Sequence, residues 1–288
     1  MVKTIGNPLS WGAQTVGAAA NHLGSAIGKV RRPDATEITE MPVVNTIGTE
    51  DLRIALRKGF DDFGAFRSDV LVICFLYPVV GMLLIWFAFD RALLPLLFPL
   101  MSGFALIGPV AAVGLYEMSR RREAGQDASW ADAFGVLKSP SLGPIIMLGL
   151  YLLAILLVWL FLANLIYAAT LGPEPPASIG VFLTEVLTTV AGWAMILLGF
   201  GVGFIFALAV LAISVVSFPL LIDRQVGLAV AVVTSTRVLS QNPRTICIWG
   251  MMVAAGLLIG SIPLLLGLIV IMPVLGHATW HLYRRAVS

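Results

Sequence analysis

Charged residues are scarce in this sequence, at 12% of its 288 residues, and the formal net charge is only +2. So small a charge gives no basic surface for a nucleic acid, and we expect none as a partner. The two cysteines, Cys74 and Cys247, lie in apolar segments without CxxC spacing, which argues against a disulfide framework or a thiolate metal site. A GxSxG elbow, a Walker loop and paired carboxylates near a histidine are also missing, so the sequence predicts neither an enzyme nor a cofactor.

Apolar residues make up 59% of the chain, and several runs approach or exceed the ~20 residues that span a bilayer. The sequence therefore predicts an all-α membrane protein, a bundle of six transmembrane helices. The predicted spans are 69–89, 92–116, 144–169, 192–221, 245–261 and 263–283. The last two divide a single apolar stretch that is too long for one span, and they meet near the sequence GSIP at 260–263.

The basic residues are sorted along the chain in a way that predicts its topology. In a six-span arrangement 17 of the 18 lysines and arginines fall on one side of the membrane, and Arg91 alone falls on the other. A five-span arrangement would put Arg284 and Arg285 outside, against the positive-inside rule. We therefore expect both chain ends in the cytoplasm. The first 45 residues lack the apolar core of a secretory signal, so insertion is expected to rely on the first internal span.

Residues 1–45 are rich in Gly, Ala, Ser and Thr and are predicted to form a flexible arm, linked to a membrane domain over 46–286. A weak amphipathic helix from Val16 to Val30 and a disordered tail are equally compatible with the glycines of this arm. The arm is a candidate contact for other membrane subunits.

Three amphipathic stretches are predicted to lie on the cytoplasmic surface of the membrane, at about 50–66, within 117–141 and at 223–245. The apolar stripe of the first stands behind a cap at Thr49 and consists of Leu52, Leu56, Phe60 and Phe63. The charges of the first stretch occupy its remaining surface: Arg53, Arg57, Lys58, Asp61 and Asp62. The stripe of the second stretch consists of Trp130, Phe134 and Leu137.

The two halves of the chain share an order of features that suggests two parallel repeats of three helices each. In each half a span ends near an arginine, an interfacial helix follows, and Ser-Pro or Asn-Pro opens the next span, with Arg-to-Pro intervals of 20 and 19 residues. Asp223 and Arg224 mark the end of the fourth span, either as partners in an ion pair or as solvated charges. Asn242 and Pro243 are placed as the cap and the first turn of the fifth.

Span four carries small residues on one face, and such faces let membrane helices approach closely. These residues are Gly199, Gly203 and Ala207. The moderately apolar stretch before this span, 177–190, is predicted to be a half-buried helix. It contains Glu185, which together with Asn164 is a candidate polar group at membrane depth, although a position near the outer surface is the favoured alternative for both.

The sequence GHATWHLYRR ends the last apolar stretch and holds two of the three histidines of the chain. His277 and His281 lie one helical turn apart on a single face, so they cannot fill the two opposite axial positions of one haem. They are weak candidates for a metal site, which would need a carboxylate from another helix. The favoured alternative is an anchor, with local hydrogen bonds, at the cytoplasmic headgroups. The anchor residues are Trp280, Tyr283, Arg284 and Arg285.

Four sequence blocks resemble, in this order, the bacterial membrane proteins grouped as DUF2189. They are DLRIALRKGFDDF at 51–63, SFPLLIDRQVGLAVAV at 217–232, the Asn-Pro segment at 235–243 and LGLIVIMPVLGHATWHLYRR at 266–285. The resemblance covers about residues 45–286, its ending is its most specific part, and it implies a bacterial inner-membrane protein. Some members are labelled cytochrome c oxidase subunits, but three histidines are too few for the haem-copper catalytic subunit.

We therefore expect a non-enzymatic inner-membrane protein that serves as a structural or accessory subunit of a larger respiratory or photosynthetic complex. The expected contacts are the lipid bilayer and, through the arm and span four, other membrane subunits. A transporter or channel for a small or lipid-like solute is the first alternative, suggested by the repeat and by prolines within the spans. A metal- or haem-handling protein that uses His277 and His281 is the second.

Overall fold

The structure, a computed structural model, describes residues 41–66, 75–90, 93–126 and 129–288, and the predicted all-helical fold is confirmed for this part of the chain. Its two 3₁₀ helices are Leu94–Leu96 and Trp130–Lys138. Its α-helices, numbered along the chain, are α1 (Thr49–Ala65), α2 (Leu76–Asp90), α3 (Leu97–Leu106), α4 (Gly108–Ala111), α5 (Val113–Glu123), α6 (Leu142–Thr170), α7 (Ile179–Thr188), α8 (Val190–Ser214), α9 (Ser217–Asp223), α10 (Leu228–Gln241), α11 (Pro243–Ser261) and α12 (Leu268–Ala286). The predictions for the amino-terminal arm and for Cys74 lie outside the described residues.

Three segments are long and apolar enough to cross a membrane. They are α6 with 29 residues, the segment Val190–Asp223 with 34 residues, which contains α8 and α9, and α11 with 19 residues. These segments match the third, fourth and fifth predicted spans. The other predicted spans contain shorter or interrupted helices, so the structure does not confirm a count of six.

The second predicted span, 92–116, is not one continuous helix. It is divided among the first 3₁₀ helix, α3, α4 and the start of α5, with breaks at Ile107 and Ala112. Pro95 and Pro109 stand in the first two positions of the segments that follow a break, because proline lacks the N–H that a helix interior requires but fits a helix start. The starts at Leu94 and Gly108 therefore follow from the prolines, whereas the break at Ala112 has no proline after it.

The stretch between α5 and α6 also differs from the prediction. Residues 130–138 form a 3₁₀ helix in place of an amphipathic α-helix. It begins at Ser129, whose backbone N–H and hydroxyl both donate to the carboxylate of Asp132 at 2.9 Å. In this helix Val136 is buried, whereas Leu137, which belongs to the predicted stripe, is 54% exposed. The tighter winding of three residues per turn changes which side chains share a face.

The third predicted interfacial stretch contains α10, and α11 begins with Pro243 directly after Asn242. The side chain of Asn242 does not cap α11. Its Oδ1 accepts from the backbone N–H of Ile47 at 2.8 Å, and its Nδ2 donates to the carbonyl of Asn45 at 3.0 Å. Asn242 therefore holds the segment that precedes α1 against the start of α11.

Helix α1 packs along α12, and its buried face is rotated from the predicted stripe. Phe60 of that stripe is 56% exposed. A Cβ atom at Gly59 would lie 2.7 Å from the Cβ and the backbone nitrogen of Ala278, so the two helices approach at small residues. The buried residues of α1 are Leu52, Ala55, Gly59 and Asp62. The prediction that Asp62 lies on the charged surface is therefore wrong, since only 4% of this residue is exposed.

The start of α1 is also capped differently from the prediction. The backbone N–H of Gly48 donates to Oδ2 of Asp51 at 2.7 Å, and Thr49 is already the first helical residue. An aspartate in the first turn satisfies a backbone donor and places negative charge at the positive end of the helix.

The two ends of the described chain lie side by side. Val44 forms an antiparallel bridge with Val287, and Val43 exchanges backbone hydrogen bonds with Ser288 at 3.0 and 3.2 Å. At the other end of α12, residues 262–267 form the turn from α11, close to the predicted position. Gly267 is required in this turn because a Cβ atom there would lie 2.7 Å from the Cα of Gly260.

The buried core concentrates where the carboxyl-terminal ends of α1, α5, α9 and α12 meet. Phe218, Leu220 and Leu282 are completely buried there. The charged and hydrogen-bonding residues of the same region are Asp62, Glu117–Glu123, Asp223–Arg224 and His277–Arg285, and we call this region the polar end. Most of α8, by contrast, is not enclosed by protein: only 6% of the most apolar window of the segment Val190–Asp223 is buried within the described chain.

Among the described residues, the small-residue face of α8 packs closely against another helix at Gly203. Gly203 lies against the ring of Trp159 on α6, and a Cβ atom there would stand 3.1 Å from that ring. Gly199 has no atom within 4 Å of its Cβ direction, and Ala207 is exposed. The predicted close approach of another helix is therefore made within this chain by Gly203 and not by the other two residues.

Candidate functional site

The centre of the polar end is the carboxylate of Asp62, which receives side chains from two other helices. Its Oδ2 accepts from the hydroxyl of Ser119 on α5 at 2.6 Å and from Nε2 of His281 on α12 at 2.9 Å. Its Oδ1 accepts from Nη1 of Arg122. His277 reaches the same group through Ser119, with Oγ and Nδ1 2.7 Å apart. Asp62 is thus the carboxylate from another helix that the two histidines lacked in the sequence.

The single hydroxyl hydrogen of Ser119 determines where the protons lie. If the hydroxyl donates to Asp62, then Nδ1 of His277 must carry the hydrogen that Ser119 accepts. The reverse order would require a protonated Asp62. Burial on its own raises the pKa of Asp62. The hydrogen bonds from His281 and Ser119 and the charges of both histidines together lower this pKa by more, so the net pKa is below the ordinary value. An ionised Asp62 that accepts from the Ser119 hydroxyl, with a hydrogen on Nδ1 of His277, is therefore favoured.

The two outer ring nitrogens of the histidines, Nε2 of His277 and Nδ1 of His281, are buried without a hydrogen-bond partner. The Leu115 backbone is close enough to interact with the His277 ring but does not complete a hydrogen bond to Nε2. Among the described residues no group of three His, Cys, Asp or Glu side chains is arranged to hold a metal ion. The nitrogens that face Asp62 are instead engaged in hydrogen bonds.

Ser119, His277 and Asp62 are the residue types of a hydrolytic triad, but they contact one another in a different order. In a triad the histidine stands between the serine and the carboxylate. Here Ser119 stands between the other two, and it is 0% exposed. The arrangement holds a buried negative charge among three donors and keeps the serine hydroxyl away from any substrate in this conformation.

The other polar residues of GHATWHLYRR join α12 to α5 and α9. Trp280 Nε1 donates to Glu123 at 3.0 Å, and the Tyr283 hydroxyl donates to Asp223 at 2.7 Å. Arg284 bridges the two acceptors, 3.2 Å from each carboxylate. Trp280 and Tyr283 are 1% and 0% exposed. The prediction that their rings face lipid headgroups is therefore corrected: they are buried in protein, and their polar atoms bind carboxylates.

The remaining anchor residue, Arg285, pairs with Asp51 of α1 and donates through its Nε. Burial raises and the hydrogen bonds from Gly48 and Arg285 lower the pKa of Asp51, with a net lowering. Arg284 and Arg285 each keep 40% of their side chain exposed, so they remain available to headgroups as well. Every polar side chain from His277 to Arg285 except Thr279 thus bonds to a residue of another helix. The Thr279 hydroxyl bonds to the carbonyl of Leu275.

The two polar residues predicted either at membrane depth or near the outer surface are not enclosed by protein, and their depth stays a prediction. Asn164 and Glu185 are both exposed, in α6 and α7. Asp223 and Arg224 form an ion pair at 3.8 Å, but Tyr283 and Arg284 approach Asp223 more closely. Sequence reasoning missed Asp62 and Ser119. The small residues Ala55 and Gly59 could have indicated that the face of α1 with Asp62 is buried. A single serine on α5 gave no such indication for Ser119.

Comparison with known proteins finds a family model that matches part of the chain. The family model described as "Predicted integral membrane protein (DUF2189)" matches residues 97–223, from α3 to the end of α9. This match includes Ser119 and Arg122 but not α1 or α12, so the carboxyl-terminal ending lies outside it. No curated protein and no solved structure matches the chain. Residues 97–223 are therefore similar to the DUF2189 family of predicted integral membrane proteins.

Proposed function

We propose that this protein is a non-enzymatic accessory subunit of a larger complex in a bacterial inner membrane. Support for a partner comes from α8. Leu197, Phe200, Phe204 and Ile205 are each more than 60% exposed, and Gly201 lies open between Leu197 and Ile205 at helical spacing. Lipid alone covers large apolar side chains well, whereas an open glycine favours the close approach of another helix. A partner helix is proposed to cover this face.

We further propose six spans with both chain ends in the cytoplasm. The bridge between Val44 and Val287 puts the two described ends on one side, so the number of crossings between them is even. Asp62 of α1 bonds to Arg122 at the end of α5, so the chain between them leaves the polar end and returns. Three long segments and the return through α12 supply four crossings, and the segment from α2 to α5 decides between four and six.

Two contacts favour full crossings by this segment. Trp159 Nε1 donates to the carbonyl of Pro99 at 3.1 Å, and Trp159 stands about 26 Å along α6 from its start at Leu142, at 1.5 Å per residue. On α2, a Cβ at Gly81 would meet Leu265 in the turn between α11 and α12. The chain between Gly81 and Pro99 extends beyond both contacts. We therefore propose that it reaches the membrane surface opposite the polar end, across a hydrocarbon core about 30 Å thick.

Cysteine labelling tests this topology. In a background of Cys74→Ser with Cys247→Ser, a membrane-impermeant maleimide added to intact spheroplasts should label Leu93→Cys and Glu174→Cys. Gln126→Cys and Ser288→Cys should react only after the membrane is permeabilised. Labelling of Glu174→Cys but not of Leu93→Cys would establish four spans, and labelling of Ser288→Cys from outside would contradict the orientation.

Co-purification tests the partner. After extraction in a mild detergent, native mass spectrometry should find the chain with a stoichiometric membrane subunit. Gly201→Leu should reduce this complex at least about five-fold because the side chain blocks close approach. Gly199→Leu is the matched control, since a Cβ atom at Gly199 also meets no atom within 4 Å but lies on the side of α8 that faces away from Leu197 and Phe204. A monomer without any partner, or an equal loss in both variants, would contradict the proposal.

The two alternatives have less support. A transporter needs a polar cavity at mid-membrane, whereas two cavities among the described residues, of about 340 and 230 Å³, are lined by residues of the polar end and its neighbours. For a metal site, the nitrogens that face Asp62 and Ser119 are already bonded, and the two unpartnered ring nitrogens are not part of any group of three His, Cys, Asp or Glu ligands among the described residues.

A further inference from the structure

The larger cavity, of about 340 Å³, lies beside the polar end between the two halves of the chain. Its wall is formed by the end of α5, the end of the second 3₁₀ helix, the start of α6 and the residues after α9. The side chains with charge in this wall are Glu117, Arg120, Arg121, Lys138, Asp223 and Arg224. Four are basic and two are acidic, so the wall carries a surplus of positive charge.

The two carboxylates do not neutralise this surplus. Glu117 is 5% exposed, and its two oxygens accept from Arg120 and Arg121 together, at 2.8 Å in each of three hydrogen bonds. One buried carboxylate thus orients two guanidinium groups, and Arg121 also donates to Asp132 at 2.7 Å, so Lys138 and Arg224 supply the positive charge that is left over. Fixed guanidinium groups lose little freedom when they bind an anion, which makes such a pair a favourable phosphate contact.

The other two basic residues are still less compensated. Asp223 is held by Tyr283 at 2.7 Å and by Arg284 at 3.2 Å, and Arg224 approaches it only to 3.8 Å. Lys138 is exposed and forms no ion pair with any residue in the part of the chain that the structure describes. Arg224 and Lys138 are therefore the cations that remain available to a ligand.

The helix α6 adds to the positive potential. Ser139, Pro140 and Ser141 line the cavity, and they lead directly into this helix of 29 residues. The amino-terminal end of a long helix carries partial positive charge and favours anions. The start of α6 is also where this apolar helix enters the membrane in the proposed topology, which is the depth of lipid phosphates.

We propose that this cavity binds the phosphate of an anionic lipid headgroup, with Lys138 and Arg224 as the contacts that select negative charge. Arg120 and Arg121, held by Glu117, form the floor of the site. Basic pockets between membrane helices on the cytoplasmic side bind anionic headgroups by this chemistry. The source of the phosphate rests on the proposed topology, since only a cavity at the membrane surface meets a lipid.

Lipid binding is measured on the purified full-length protein in nanodiscs and by native mass spectrometry. Phosphatidylglycerol should raise the thermal unfolding midpoint and remain bound to the protein, whereas phosphatidylcholine should do neither. Lys138→Gln and Arg224→Gln should each weaken phosphatidylglycerol binding about five-fold, as expected for one basic residue at a lipid surface. Arg237→Gln removes an exposed arginine of α10 that does not line the cavity, and it should bind as the wild type does.

Two further arms separate the sources of the phosphate. Inorganic phosphate in detergent, without lipid, should give no comparable stabilisation; an equal effect would assign the site to a free anion and overturn the lipid. Labelling of Lys138→Cys from outside would reject the topology, even if the lipid still bound. Equal responses to the two lipids, or an equal loss in Arg237→Gln, would overturn the site itself while leaving the partner proposal intact.

Discussion

Helices α8 and α12 both come from apolar stretches that were predicted as membrane spans, but they have opposite surroundings. In α8 the large apolar side chains are exposed, Leu197 by 70% and Phe204 by 66%. In α12 the polar residues are buried: His277 is 0% exposed and His281 is 6% exposed. The difference teaches that hydropathy identifies segments that leave water, but not whether lipid or protein replaces it.

The buried polar atoms of α12 are tolerated because other helices supply their partners. An unpaired polar group in an apolar environment costs several kcal/mol, and pairing removes most of that cost. The acceptors come from three different helices: Asp62 of α1, Glu123 of α5 and Asp223 of α9. The exposed side chains of α8 are apolar and need no hydrogen-bond partners, so the stability of α8 depends on lipid or on a partner helix.

The largest expected effect follows the loss of Asp62. Asp62→Ala removes the acceptor of Ser119, His281 and Arg122 together and should lower the free energy of unfolding by about 3–5 kcal/mol, because the buried side chains of Ser119 and His281 each lose their acceptor at a cost of about 1–3 kcal/mol. Unfolding in a mixed detergent series with SDS measures this. Asp61→Ala, one residue away and exposed, should change stability by less than about 0.5 kcal/mol.

The contact between α1 and α12 gives the next effect. Gly59→Ala places a methyl group 2.7 Å from Ala278, so the helices must separate, at a cost of about 1–3 kcal/mol. Gly64→Ala on the same helix meets no atom within 4 Å and should stabilise by up to about 1 kcal/mol, because alanine favours a helix over glycine. Opposite signs in the same unfolding assay are expected, and a loss of stability at both positions would contradict the packing.

Acid should weaken the polar end through Asp62. The pKa of Asp62 is lowered in the folded protein, so its contribution is fully present above the ordinary carboxyl pKa near 4 and is lost as the pH falls through the lower folded value. The unfolding midpoint should therefore show no Asp62-dependent change between pH 7 and 5 and should fall below pH 4. Asp62→Asn should lack that part of the acid loss, and an unchanged acid profile would contradict an ionised Asp62.

The smallest effects are expected on α8. Gly199→Ala adds a methyl group in open space and should change the stability of the isolated chain by less than about 0.5 kcal/mol. Gly203→Ala presses against the Trp159 ring at 3.1 Å and should destabilise more. Thermal unfolding in detergent compares the two, and a larger loss at Gly199 would show that this face is already packed within the chain.

The sequence predicted the helices better than their contacts. The long apolar runs and the Asn242-Pro243 start of α11 could be located because they depend on local properties, namely length, hydropathy and the fixed φ of proline. The breaks in 92–116 were missed although Pro95 and Pro109 were visible, because membrane helices often tolerate proline.

The buried face of α1 was missed for a different reason. A stripe of large apolar residues pointed to Phe60, yet contact between two helix backbones uses Ala55 and Gly59, which carry little apolar weight. Because the face with Ala55 and Gly59 packs against α12, Asp62 on the same face is buried. Its partners come from positions 119 and 281, and no local pattern in one sequence connects such distant residues.

The claim that one carboxylate of α1 binds the histidine of α12 is tested most directly by a double-mutant cycle. Asp62→Ala, His281→Ala and the double variant are unfolded under the same conditions, with Asp61→Ala in place of Asp62→Ala as the reference cycle. A coupling energy of at least about 1 kcal/mol between Asp62 and His281, with none between Asp61 and His281, is the expected result. Purely additive losses in both cycles would contradict the account of the polar end.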